Sequence, residues 1–154
     1  MIPGEVAVIT DGGAGIGRRI ACTWRARASR SLINDFNETA LAAAKSTLAD
    51  KAGAAHQGDA SNPSVASDLV KAAIKTYDGL DILMDNVAIA GPTAPVEDVI
   101  YDKFIGTLEV NLGAMFATTK AALSYLRERT DNRIMNISLM SGKRPLRDRA
   151  PYDV

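Results

Sequence analysis

Cysteine is nearly absent from this chain. Cys22 is the only one in 154 residues, which excludes an internal disulfide framework and suits a reducing compartment. Histidine is equally scarce: His56 stands alone, and no spacing around it supplies the partners a metal site needs. Neither charge dominates, because 18 basic side chains cancel 18 acidic ones, and this removes any global attraction to nucleic acid or an anionic membrane. No apolar run approaches the roughly 20 residues required to cross a bilayer. The opening MIPGEVAVIT also lacks the basic stretch and long apolar core of a signal peptide. A cytoplasmic protein is expected, with no membrane and no nucleic acid among its partners.

What is present is an ordinary soluble composition, 47% hydrophobic and 23% charged, in a chain long enough to bury one core. Residues 1–154 are therefore read as a single domain. Short β-branched runs alternate with stretches of helical period. Strands are expected at Glu5–Thr10, Ser31–Asp35, Ala54–Gln57, Leu80–Met84 and Arg133–Ser138. Between them, Ile16, Ile20 and Trp24 mark one helix, and Ala40, Leu41, Ala44 and Leu48 a second. Asn62-Pro63 opens a third helix with a cap and a first-turn proline, and Asp78-Gly79 closes it. A long fourth helix carries Phe104, Leu108, Leu112, Met115, Thr119, Leu123 and Leu126 on one apolar face. Strand–helix alternation of this kind predicts an α/β fold, a Rossmann-like doubly wound parallel sheet of about five strands with helices on both faces.

In such sheets ligands bind beyond the carboxyl ends of the strands, so the residues after each strand carry the information. After the first strand come Gly12, Gly13, Gly15 and Gly17, where bare amides and a helix dipole favour a phosphate. Glycine also serves plain tight turns, and only the position between strand and helix favours phosphate binding. Asp35 ends the second strand, about 20 positions past the loop, where a carboxylate accepts the ribose hydroxyls of NAD and repels the 2′-phosphate of NADP. The competing role for Asp35 is a helix cap, which Asn37 could equally fill. No basic residue at Ala14 or Phe36 would neutralise a 2′-phosphate, so NAD is favoured and NADP is less favoured.

These features, in this order, resemble the N-terminal three-fifths of a short-chain dehydrogenase/reductase. That family's T-G-x-x-x-G-x-G loop is read here as Thr10-Asp11-Gly12-Gly13-Ala14-Gly15-Ile16-Gly17. The resemblance assigns Asp59 and Ala60 to the adenine, Asn86 in Asp85-Asn86-Val87-Ala88 to the loop lining the cofactor ribose, and Asn111 to a proton-relay water. It makes Tyr152 the general acid/base for a small alcohol or ketone, with the chain a homo-oligomer.

The departures fall on functional positions. Asp11 replaces a glycine, and a carboxylate about 4 Å from a phosphate charge would be repelled by roughly 4 kcal/mol at an effective dielectric of 20. Leu139 stands where the resemblance implies the substrate-orienting serine. Ser138 is its strand neighbour and is expected to point away, and Ser141 to reach the site only if its loop moves. The lysine four residues past the tyrosine would be position 156. The chain is therefore expected to be truncated, without the last strands, and to show weak or no turnover and a tendency to self-associate. A non-catalytic nucleotide-binding remnant is the alternative. Lys143, Arg144, Arg147 and Arg149 make a basic segment without interleaved aromatics, which reads as a solvated loop.

Overall fold

The computed structural model describes residues 4–48 and 53–153. Five parallel strands form one sheet: β1 (Val6–Ile9), β2 (Arg30–Asp35), β3 (Gly53–Gln57), β4 (Ile82–Asp85) and β5 (Arg133–Asn136). Their spatial order is β3-β2-β1-β4-β5. The helices are α1 (Gly15–Arg25), α2 (Glu38–Leu48), α3 (Pro63–Tyr77), α4 (Tyr101–Leu108) and α5 (Ala114–Leu126). The expected α/β doubly wound sheet is what the chain forms.

Strand alternation explains the two layers. Val6 and Val8 of β1 face one side, where they join Leu32 and Leu83 against Leu69, Ala73 and Tyr77 of α3 and Ala122 and Leu126 of α5. Ala7 and Ile9 face the other side, with Ile33 and Ile82 against Ala21 and Trp24 of α1 and Leu41, Ala44 and Leu48 of α2. The caps of α3 follow the sequence: Asn62 Oδ1 accepts from Ser64 N at 2.9 Å, Pro63 begins the helix, and Asp78 ends it in a left-handed conformation.

Three expectations need correction. The long fourth helix is not continuous, because a π turn at Glu109–Gly113 joins α4 to α5. The apolar stripe expected on it is also not the buried face. Ala114, Ala117, Thr118 and Ala122 pack inward, whereas Leu112, Phe116 and Leu123 are exposed. Small residues let α5 approach α3 and the sheet closely, which leaves the larger side chains outside. Strand β5 is also shorter than expected. It ends at Asn136, so alternation does not govern Ser138 and Leu139. Its Ile134 and Met135 remain partly exposed, while β1 is sealed on both faces.

One side chain ties the sheet edge to its cover. The Tyr77 hydroxyl accepts from Ala54 N at 2.8 Å and donates to Ser31 O at 3.0 Å. Tyr77→Phe strands both backbone groups and should cost about 1–3 kcal/mol in a urea melt, the range for unsatisfied buried polar groups.

Candidate functional site

The glycine loop leaves β1 at Thr10 and enters α1 at Gly15. Gly12 N donates to Asn34 O at 2.8 Å, and Gly13 N donates to Asp35 Oδ2 at 2.9 Å. A Cβ on Gly13 would stand 2.5 Å from that carboxylate oxygen, and one on Gly17 would collide with the Asp11 carbonyl, so neither position accepts a side chain. Gly15, Ile16 and Gly17 form the first turn of α1. Ala14 precedes it with no side-chain cap, so the leading amides stay open to an anion.

Asp35 is buried, with Oδ2 on Gly13 N and Oδ1 on Asn37 N at 2.8 Å. The helix-cap role belongs to Asn37, whose Oδ1 accepts from Ala40 N at 3.0 Å. Asp35 thus orients the glycine loop. Asp11 adopts a positive φ of +50, and its carboxyl lies within reach of Asp35. Burial, followed by the negative charge of Asp35 and hydrogen bonding with it, pushes the Asp11 carboxyl above the usual carboxylate range.

A second loop meets the first at the end of β4. Thr10 Oγ1 accepts from Asn86 N at 2.9 Å and from Val87 N at 3.2 Å. In return Asn86 Nδ2 donates to Thr10 O and Asp11 O, both at 3.2 Å. Asn86 thus clamps the two loops together. Asp59 uses Oδ1 to hold Ser61 N at 2.9 Å and Ser61 Oγ at 2.7 Å, which fixes the turn into α3, and Ala60 beside it is buried.

The catalytic candidates share one cavity of ≈ 130 Å³, lined by Val87, Ala88, Asn111, Ser138, Ser141 and Tyr152 together with apolar side chains. Asn111 lies in the π turn. Its Oδ1 accepts from Ile89 N at 2.8 Å and its Nδ2 donates to Ile89 O at 3.0 Å, so the amide pins the loop after β4 to the helix. π turns of this kind recur at functional sites. Tyr152 follows a turn in which its own N–H donates to Arg149 O at 2.8 Å. Arg149 in turn reaches Ala90 O at 3.5 Å. Among the described residues, no group of three or more His, Cys, Asp or Glu could hold a metal.

Ser141 was expected to reach the site only if its loop moved, yet it lines the cavity as the loop stands; the setting of Asp85 was not foreseen. Asp85 is 1% exposed at the end of β4. Thr118 Oγ1 lies 2.7 Å from Asp85 Oδ1 and 2.7 Å from Ala114 O. One hydroxyl proton serves only one of these contacts when Asp85 is ionised. A protonated Asp85 donates to Thr118, which donates to Ala114 O, and both contacts become hydrogen bonds. Burial raises the Asp85 carboxyl to about 6, against the lowering effect of Thr118 and Thr119. Because the folded pKa lies above the unfolded 3.8, stability is complete below about pH 4 and is lost as pH rises through about 6. The full loss at pH 8 is about 3 kcal/mol. Asp85→Asn mimics the protonated form, so its melting temperature should exceed that of the parent at pH 8 and match it near pH 4.

Comparison with known proteins now adds ancestry. The family described as short chain dehydrogenase matches residues 5–153. 3beta-hydroxysteroid dehydrogenase 2 of Eggerthella lenta is 32% identical over 146 residues, covering 92% of this chain and 56% of that protein. D-beta-hydroxybutyrate dehydrogenase of Cupriavidus necator is 28% identical over 144 residues, covering 92% and 55%. In fold, the chain matches NAD+-bound xylitol dehydrogenase with a TM-score of 0.94 at 24% identity, over 99% of this chain and 59% of that one. The chain spans a little over half the length of these relatives.

Proposed function

The chain belongs to the short-chain dehydrogenase family, and on that premise we propose that it is the dinucleotide-binding part of an oxidoreductase that uses NAD in preference to NADP. Its reaction is hydride transfer between a small alcohol and the corresponding carbonyl. The observation that carries this reading is the convergence of Asn111 and Tyr152 on one cavity beside Val87 and Ala88, at the carboxyl end of the sheet. The glycine loop lies across the Thr10–Asn86 clamp from it.

When bound, the nicotinamide supplies or accepts the hydride. Gly12, Gly13, Gly15, Ile16 and Gly17 hold the pyrophosphate on open amides, and Asp35 takes the adenosine ribose. Asp59 and Ala60 border the adenine, and Asn86 sets the loop beneath the nicotinamide ribose. Tyr152 passes the proton to or from the substrate oxygen, while Asn111 holds the loop that walls the cavity. Turnover by this chain is weak, since Leu139 has no hydroxyl to orient a substrate. A cytoplasmic setting belongs to the same proposal, resting on the single Cys22 and the balanced charge; no described helix is long and apolar enough to cross a membrane. Self-association would use Leu112, Phe116 and Leu123, the exposed apolar side chains of the π turn and α5.

A second reading, a non-catalytic nucleotide-binding remnant, is favoured by Asp11 and Leu139. Calorimetric titration tests the cofactor site in either case. NAD should bind at least tenfold tighter than NADP. Asp11→Gly should tighten NAD by roughly tenfold or more, about 1.4 kcal/mol, because it frees Asp35 and removes a negative charge. No heat from either protein at millimolar NAD would contradict both readings. Binding without hydride transfer would favour the remnant.

A further inference from the structure

Residues 143–153 hold four cations, Lys143, Arg144, Arg147 and Arg149, against two carboxylates, Asp148 and Asp153. Three of the cations fit the solvated loop expected from the sequence. Lys143, Arg144 and Arg147 are exposed, and Arg147 pairs with Asp148 at 3.5 Å. Arg149 differs from them, because it is half-buried. Its guanidinium donates to Ala90 O across a long 3.5 Å, and among the described residues no carboxylate pairs with it.

The segment that carries Arg149 is docked on the loop after β4. Ala94 N donates to Asp148 O at 3.0 Å, and Arg149 Nη1 reaches Ala90, two residues past the Ala88 that lines the Tyr152 cavity. On the other side Tyr152 N donates to Arg149 O at 2.8 Å, so a single turn of chain separates the two residues. Arg149 thus stands at the rim of the cavity, between its loop wall and its tyrosine. The lining itself carries no charged side chain. At ≈ 130 Å³ the cavity is far below the roughly 300–1,000 Å³ of pockets for drug-sized ligands, so it suits a short chain of atoms.

Resting on the oxidoreductase reading, we propose that the substrate is a short keto acid, or the matching hydroxy acid in the oxidation direction, whose carboxylate binds Arg149 at the rim. Its carbonyl then lies inside, against Tyr152. A guanidinium presents a fork of N–H donors that matches a carboxylate, and two parallel charged bonds outweigh one long contact with Ala90 O. Lys143 and Arg144 follow the lining residue Gly142, and their exposed charges draw an anion towards the mouth without touching it. In the reduction direction, hydride from NADH forms the new C–H bond at the carbonyl carbon. The C=O π pair moves onto oxygen, which takes the proton of Tyr152. The ketone is reduced and NADH is oxidised, while the carboxylate keeps its charge and its place on Arg149.

The probes are 4-oxopentanoate and its uncharged methyl ester. Ligand-observed NMR in the presence of NAD reads their binding without turnover. Deuterium transfer from 4-deuterated NADH, followed by mass spectrometry of the alcohol, reads the reaction even when it is slow. The parent should bind the keto acid about tenfold or more tighter than the ester. Arg149→Ala should erase that preference and lower kcat/KM for the keto acid about tenfold, mostly through KM, yet leave transfer to the ester within about twofold. Arg149→Lys keeps the charge without the fork and should retain part of the preference. Equal binding of acid and ester by the parent, binding of neither, or equal losses on both in Arg149→Ala would overturn the carboxylate site. A preserved preference with no deuterium transfer to either ketone would overturn the oxidoreductase reading and leave the carboxylate site standing.

Discussion

The buried hydroxyl of Thr10 is the point on which the site depends. It stands where β1 and β4 stop pairing, next to the Ile9–Met84 register. Beyond that point the glycine loop departs one way and the Val87–Ala88 loop the other. Two amide N–H groups of the β4 loop converge on its oxygen, and the Asn86 side chain returns two bonds to the β1 side. The order β3-β2-β1-β4-β5 makes this the place where successive crossovers change direction, and open α/β sheets bind their ligands in that crevice. A four-bond clamp at the bottom of the crevice fixes both of its walls.

The polar groups around it fall into two kinds. Asp35, Asn86, Asp59 and Asn111 are engaged with backbone or with a neighbouring serine, and they hold loops in place. Asp85 belongs with them through its relay to Thr118 and Ala114, at the cost of a carboxyl that is most comfortable protonated. The amides that open α1 are different, because no side chain caps them. Preorganised loops carrying a few open donors are the arrangement catalysis by positioning requires.

Much of this was legible in the sequence because strand and helix periods are strong signals for buried β-branched runs and capped helices. The five strands, the glycine loop between β1 and α1, and Asp35 at the end of β2 came from pattern and spacing. The π turn was not legible, since apolar residues recur at three or four positions straight across it, and one extra residue in a turn leaves that spacing undisturbed. The buried face of α5 was misread because small residues, not large ones, mediate its contact with α3. Ser141 was expected to need a loop movement because the strand was carried past Asn136, where β5 has already ended. The pairing of Asp11 with Asp35 was not legible, because the sequence does not reveal that the loop brings the two carboxyls within reach of each other.

The most direct measurement of whether this crevice is a dinucleotide site is an amide chemical-shift titration of the isotopically labelled chain with NAD. The structure predicts shifts concentrated at Gly12 to Gly17, at Asp59 and Ala60, and at Asn86 and Val87 around the clamp. Shifts gathered instead in the polar cleft of Gly4, Arg30, Asp81 and Arg129, or no shifts at millimolar NAD, would contradict it.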